Sequence, residues 1–175
     1  RPEGAAQPRD RGAVLGDVSI QDGTVKVGAT NPLSRMDSEL NINSGATLDL
    51  NGNSIAIETL GSNNRQVTGT GGGVNFGGSV TNAAGGSAAT LSMAGPQSST
   101  FTGTINGNLK LMKAGSGVLT IDGYRASTPD SGSNTFTGGT NVYGVGTTGG
   151  LLIDNAPFAF GGANGSTPGD VNLYS

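Results

Sequence analysis

The residues that could carry chemistry in this chain are few, and their spacing limits what they can do. Two carboxylate pairs lie close in sequence, Asp17 with Asp22 and Asp37 with Glu39. A glycosidase needs two carboxylates facing one cleft, about 5–9 Å apart, so that one handles the leaving-group proton while the other attacks or activates water. Asp37 and Glu39 are two residues apart and would share one face of a strand. Arg35 is the nearby basic residue that a polysaccharide lyase would want beside such a pair. No His or Trp supports either pair, because the chain contains neither. Both pairs therefore read as solvated surface carboxylates, and no catalytic residue is assigned.

Other motifs fail on their context. Gly144-Val-Gly146-Thr-Thr-Gly149 matches Gly-x-Gly-x-x-Gly, but that pattern holds a pyrophosphate only where a helix N-terminus follows. Here Leu151-Leu-Ile-Asp-Asn-Ala-Pro157 follows, with no helical period, so the glycines read as a turn. The run Gly69 to Gly73 is read the same way, since no Lys-Ser/Thr follows it to make a phosphate loop. A calcium-binding nonapeptide repeat would need an aspartate after its glycines, and Gly71-Gly72-Gly73-Val-Asn-Phe lacks one. Without His or Cys there is no imidazole or thiolate ligand and no Ser-His relay. No cofactor and no metal site is expected.

Five phenylalanines, Phe76, Phe101, Phe136, Phe158 and Phe160, could form a binding stripe, but strand alternation places most of them in a core. Asn51, Asn53, Asn63, Asn64, Asn106, Asn108, Asn134 and Asn141 fall at turn positions. Stacked turn upon turn, such amides can hydrogen-bond along an axis as a ladder; this is a stabilising device, and no ligand is assigned to it.

These residues need elements to hold them, and composition restricts the choice. The chain has 175 residues, 33 of them Gly, with 33% hydrophobic and 12% charged residues. Low charge argues against ordinary disorder, and Gly without a three-residue period is not collagen. Many short strands joined by tight turns remain. The formal net charge is −3, and between Lys26 and Lys110 the basic residues are Arg35 and Arg65. With no basic stripe, nucleic acid is not expected as a partner. No apolar run reaches the length of a membrane-spanning helix. The chain starts with Arg, which reads as a processed or excised piece of a larger precursor.

Residues 1–13 are polar, carry two prolines and lack periodicity, which predicts an arm or linker. From Val14 to Ser175 the period is two, which predicts one domain. Val18/Ile20, Val25/Val27, Leu40/Ile42, Leu48/Leu50 and Ile55/Ile57 alternate between turns at Asp22-Gly23, Ser44-Gly45 and Asn51-Gly52. Val74/Phe76, Leu91/Met93, Leu109/Leu111, Leu119/Ile121, Leu151/Ile153 and Val171/Leu173 follow. Each run holds two or three apolar residues before Gly, Asn or Asp breaks it, shorter than the strands of a sandwich. Strands this short are sheltered when each stacks on its counterpart one turn of the chain later. The expected fold is all-β, a right-handed parallel β-helix (β-solenoid) of roughly seven rungs at about 20–30 residues each, and about 35 Å long at about 4.8 Å per rung.

The segment Leu109 to Gly139 also resembles a known family, the autotransporter-associated β-strand repeat. In that repeat Lys-x-Gly-x-Gly-x-Leu-x-Leu precedes Asn-Thr-Tyr-Thr-Gly-Gly-Thr. Lys113, Gly115, Gly117, Leu119 and Ile121 fill the first half, and Asn134, Thr135, Phe136, Thr137, Gly138, Gly139 and Thr140 the second. The joining segment, Tyr124 to Ser133, exceeds the family's short link and is expected to bulge as a loop. Leu40 to Gly61, Ser99 to Gly107 and Gly149 to Leu173 resemble flanking segments of such passengers, so the resemblance spans about Val14 to Leu173. It implies a non-catalytic stalk, adhesin or extracellular matrix or filament component, on the bacterial cell surface or secreted. A cell-surface or polysaccharide ligand would be its partner. The alternative is a carbohydrate-active β-helix enzyme, a polysaccharide lyase or glycosidase. An uncapped solenoid has open strand edges at its ends, so end-to-end stacking into a homo-oligomer is also expected, with Arg1 to Gly12 reaching across the junction.

Overall fold

The computed structural model describes residues 16–29, 39–62, 77–83, 87–122, 134–144, 151–154 and 170–174, the side chains of 151–154 excepted. The expected N-terminal arm, the Tyr124–Ser133 loop and Val74 with Phe76 lie outside the described residues. So do Arg35, Asp37, Asn63, Asn64, Phe158 and Phe160, the Gly69–Gly73 run, and most of the Gly144–Gly149 motif.

Every described element is a β-strand, and every strand pairing is parallel. The chain deals its strands to four stacked sheets in turn. One three-stranded sheet holds β1 (Val18–Ile20), β3 (Glu39–Ile42) and β6 (Thr59–Gly61). A second continues the same succession with β9 (Ser99–Phe101), β12 (Val118–Ile121) and β15 (Leu151–Asp154). The bond from Ser62 N to Thr100 O, 3.2 Å long, links the two. A five-stranded sheet runs β2 (Gly23–Lys26), β4 (Ala46–Asp49), β7 (Ser79–Asn82), β10 (Thr104–Gly107) and β13 (Thr135–Phe136). The other five-stranded sheet runs β5 (Ile55–Ile57), β8 (Ala89–Met93), β11 (Leu109–Lys113), β14 (Thr140–Tyr143) and β16 (Val171–Tyr174). The arrangement is solenoid-like, and the expected all-β class with short parallel strands is what the chain forms.

Register explains the two-residue period. In a parallel stack the same face of each strand meets the same face of the next, so one inward residue dictates a column. Val25, Leu48, Val80 and Ile105 form one column. Ile55, Leu91, Leu111, Thr140 and Val171 form another. The inward aliphatic residues from Leu40 to Ile121 are almost wholly buried, and Phe101 and Phe136 fill the core with them. Their outward neighbours remain partly accessible, which is why parallel strands here alternate instead of reading as continuous apolar runs.

Three details refine the sequence expectation. First, the turns at Asp22-Gly23 and Ser44-Gly45 are corners where the chain passes from one sheet to the next. Second, β7 and β14 escaped the apolar pattern, because Ser-Val-Thr-Asn and Thr-Asn-Val-Tyr each carry a single aliphatic residue. Third, β15 registers Leu152 with Leu119, and Leu151 with Val118. The one-residue offset contrasts with an alternation that grouped Leu151 and Ile153 with Leu119 and Ile121.

The described asparagines do not build one ladder. They act mainly as rivets from side chain to the backbone of a neighbouring turn, at corners where the strand ladder is broken. Asn82 accepts Gly52 N–H at 2.8 Å and donates to Asn108 O at 2.6 Å, fastening the strand run before it to the one after it. Asn51 and Asn53 both donate to Val27 O, and Asn134 accepts Ile105 N–H at 2.7 Å. Asn106 and Asn141 lie within strands, not turns.

Leu119→Asp is expected to abolish cooperative thermal unfolding, because an unpaired carboxylate would enter a dry column; Leu119→Ala should cost about 2–5 kcal/mol. Circular dichroism melts measure both, and a parent-like midpoint for the Asp variant would show that Leu119 does not face the core.

Candidate functional site: a buried lysine corner and an open strand edge

Of the carboxylates singled out by spacing, the three described ones, Asp17, Asp22 and Glu39, accept hydrogen bonds from nearby N–H groups. Asp22 caps the N–H of its own neighbour, Gly23, at 2.7 Å. Asp17 accepts the N–H of Glu39 at 3.3 Å, and Glu39 accepts from the Asn41 amide at 3.1 Å. Asp17 and Asp22 sit at opposite ends of β1 and do not converge. The structure instead brings Asp17 beside Glu39, a pairing between neighbouring strands that sequence spacing could not show. Both are exposed. Among the described residues no three Asp or Glu gather into a metal-binding group, and no helix is long and apolar enough to cross a membrane.

Asp49 is the buried carboxylate. Burial pushes its pKa up, but the N–H groups of Asn51 and Ala83, with the Lys26 ammonium, outweigh it and hold the group below its usual 3.8. Lys26 reaches it at 3.5 Å from a mostly exposed position, so the ion pair itself contributes little. Asp49 is a corner fastener.

Lys113 is the more unusual group. It ends β11 in a column with Ile57, Met93, Val142 and Leu173, where the other members are apolar, and it is only 3% exposed. Its ammonium bends to the following corner, donating to Ala114 O and, at 3.3 Å, to Gly115 O. Burial lowers its pKa from the ordinary 10.5. The Lys-x-Gly-x-Gly string thus has a physical basis. A Cβ on Gly115, whose φ is +72°, would lie 2.2 Å from Ala94 O; one on Gly117 would lie 2.0 Å from Gln97 O. The corner rests directly on the backbone of the preceding corner, and the lysine satisfies the carbonyls that turn inward there.

The second feature is an edge. β16 pairs with β14 on one side, and its other side has no strand partner among the described residues. Its inward residues Val171 and Leu173 are 44% and 78% exposed, and Tyr174 is 45% exposed. Tyr174 stacks on Tyr143 with ring centroids 4.6 Å apart and planes within 11°. Beside them the Asn172 amide donates to Asn141 Oδ1 at 3.2 Å. At the opposite end, β2 leaves Val25 46% exposed. The Val171/Leu173 strand was legible from alternation, but the tyrosine stack was not. Its signal was the recurrence of Thr140-Asn-Val-Tyr as Val171-Asn-Leu-Tyr.

Compared with protein-family models, curated proteins and solved structures, the chain matches none.

Two measurements check this corner. Gly117→Ala should cost about 3 kcal/mol in urea unfolding, since the obstructing atoms are backbone; a neutral result would refute the stacked corner. For Lys113 the sign follows from its lowered pKa. Between its folded pKa and 10.5 the unfolded chain binds the extra proton, so stability rises with pH across that interval. Lys113→Met should remove this rise while leaving the protein at least as stable at neutral pH. Parallel slopes for the two proteins in urea titrations from pH 7 to 10 would contradict the buried amine.

Proposed function

We propose that this chain is a non-catalytic structural segment, a right-handed parallel β-helix within a secreted or surface-exposed autotransporter-like protein that serves as stalk, adhesin or matrix component. The observation that carries the reading is the regular return of the chain. Register partners lie from 20 residues apart, Thr100 to Thr120, to 36 apart, Ile55 to Leu91, and every return is parallel. Six strands, β1, β3, β6, β9, β12 and β15, succeed one another in this way, near the number of rungs that length suggests. Right-handedness follows from the general preference of parallel crossover connections. The family assignment is supported by the Lys113–Ile121 string, whose lysine and two glycines each have a physical task at a stacked corner.

A non-catalytic role is favoured because the described exposed carboxylates Asp17, Asp22 and Glu39 accept hydrogen bonds from backbone and amide N–H groups. A rod of stacked strands needs no ligand to be useful; its stiffness and length set the distance between whatever lies at its ends.

Antibodies raised against this chain should label intact, unpermeabilised cells of its host or detect it in the medium, and purified protein should leave pectin, alginate and related polysaccharides uncleaved. Labelling only after lysis would overturn the surface assignment. Cleavage abolished by Asp37→Asn or Glu39→Gln would replace the structural reading with an enzymatic one.

A further inference from the structure

Asn-Gly and Asp-Gly steps are the points at which a polypeptide most readily attacks itself. The glycine nitrogen closes on the side-chain carbonyl carbon of the preceding residue, and glycine has no Cβ to shield that nitrogen. In a loose chain Asn-Gly reacts ahead of Asp-Gly, because an amide expels ammonia more readily than a carboxyl group expels water. Three such steps lie wholly among the described residues, Asp22-Gly23, Asn51-Gly52 and Asn106-Gly107. Asp122-Gly123 and Asn164-Gly165 fall partly or wholly outside them.

The stack separates the reacting groups of both Asn-Gly steps. At the corner after β4, the Asn51 amide donates to Val27 O on the turn before, at 3.2 Å. The Gly52 N–H donates to Asn82 Oδ1 on the turn after, at 2.8 Å. Electrophile and nucleophile are thus tied in opposite directions along the stack. Asn106-Gly107 ends β10, where Gly107 is in register with Asn82 on one side and Phe136 on the other. The Asn106 side chain accepts the Thr135 hydroxyl at 2.9 Å and donates to Thr104 Oγ1 at 3.1 Å. A Cβ on Gly107 would lie 2.6 Å from Asn82 O, so a ring has no space to close there while the sheet holds.

Asp22-Gly23 is arranged the opposite way. The Gly23 N–H donates to Oδ1 of Asp22 itself, at 2.7 Å, so nucleophile and carboxyl are already in contact. Gly23 has φ +76°, and beyond its chain neighbours no heavy atom lies within 4 Å of where its Cβ would stand, which leaves room for a ring. We propose that Asp22-Gly23 is a site of covalent self-modification, the conversion of Asp22 to isoaspartate, and that the fold reverses the chemical order of these three steps. The Gly23 nitrogen bonds to Asp22 Cγ of the carboxyl in its acid form. The nitrogen's proton and the carboxyl hydroxyl leave as water, giving a succinimide. Water then opens the ring at the Asp22 main-chain carbonyl, so the chain runs on through the side-chain carbonyl with an extra backbone methylene. The water lost in the first step is regained in the second, and no other reactant is needed. The insertion falls at the corner between β1 and β2, where Gly23 registers with Ala46, and it loosens the hold of β4 on β2.

The test holds the whole folded chain at neutral pH for several weeks, beside a sample unfolded in guanidinium chloride. Peptide mass mapping reads amide loss, and methyl transfer from S-adenosylmethionine by an isoaspartate-specific methyltransferase reads isomerisation. In the folded chain isoaspartate should accumulate at Asp22 while Asn51 and Asn106 keep their amides. Unfolded, the two asparagines should react first, at least about tenfold faster than when folded, because the folded chain reaches the reacting pose only by local opening. Asp22→Asn keeps the acceptor oxygen and supplies the better leaving group, so in the folded chain it should lose its amide sooner than Asn51 or Asn106. An unmodified Asp22 in the folded chain, equal amide loss from the asparagines folded and unfolded, or an Asp22→Asn amide that outlasts Asn51 would each overturn the proposal.

Discussion

Close backbone approach between successive corners is the constraint on which the rest of this structure depends. Parallel strands keep a spacing of about 4.8 Å, and here the corners that join them are stacked nearly as tightly. At Gly117 there is no room for a methyl group above Gln97 O, and at Gly115 none above Ala94 O. If those corners spread, β11 and β12 could not keep register with β8 and β9, and the inward columns would slip. A one-residue slip in a strand sends its whole apolar set to the wrong face. At these corners glycine is therefore a packing requirement, and not a sign of looseness.

Tight corners create a second problem. Between strands the backbone leaves the ladder, and its N–H and C=O groups must find partners or incur the cost of burial unpaired. Short polar side chains solve this by reaching one turn up or down. Ser54 accepts Thr90 N–H, Ser98 accepts Val118 N–H, Thr102 accepts Gly77 N–H, and Asp49 accepts both Asn51 and Ala83 N–H. Asn82 serves two neighbours at once. The Lys113 ammonium does the equivalent for carbonyls, at the expense of desolvating a charge. Among the described residues two buried side-chain atoms remain without partners, Asn43 Oδ1 and Asn134 Nδ2.

β14 and β16 pair Asn141 with Asn172 and Tyr143 with Tyr174, whereas the preceding strand places Met112 in the asparagine column. An edge strand is usually a liability, blunted with charges, bulges or proline. Among the described residues β16 pairs on one side only, and its Leu173 is 78% exposed. The described carboxylates that looked chemical in the sequence, Asp17, Asp22 and Glu39, are spent on capping.

The sequence by itself determined the local facts: that strands are short, that their period is two, where most of them lie, and that imidazole and thiolate chemistry is ruled out. Those follow from side-chain type and alternation, which act within a few residues. It also flagged Lys113, Gly115 and Gly117 as a unit without saying why. What only the tertiary structure decided was which strands meet. The step between partners varies from 20 to 36 residues, so no fixed period in the sequence could place Asp17 beside Glu39, Lys113 among Ile57, Met93 and Val142, or Tyr174 on Tyr143. Strands such as β7 and β14, with one aliphatic residue each, are held by neighbours on both sides rather than by their own pattern. Pairing between distant segments is a property of the stack, and it is there that the buried amine, the stacked corner and the tyrosine pair arise.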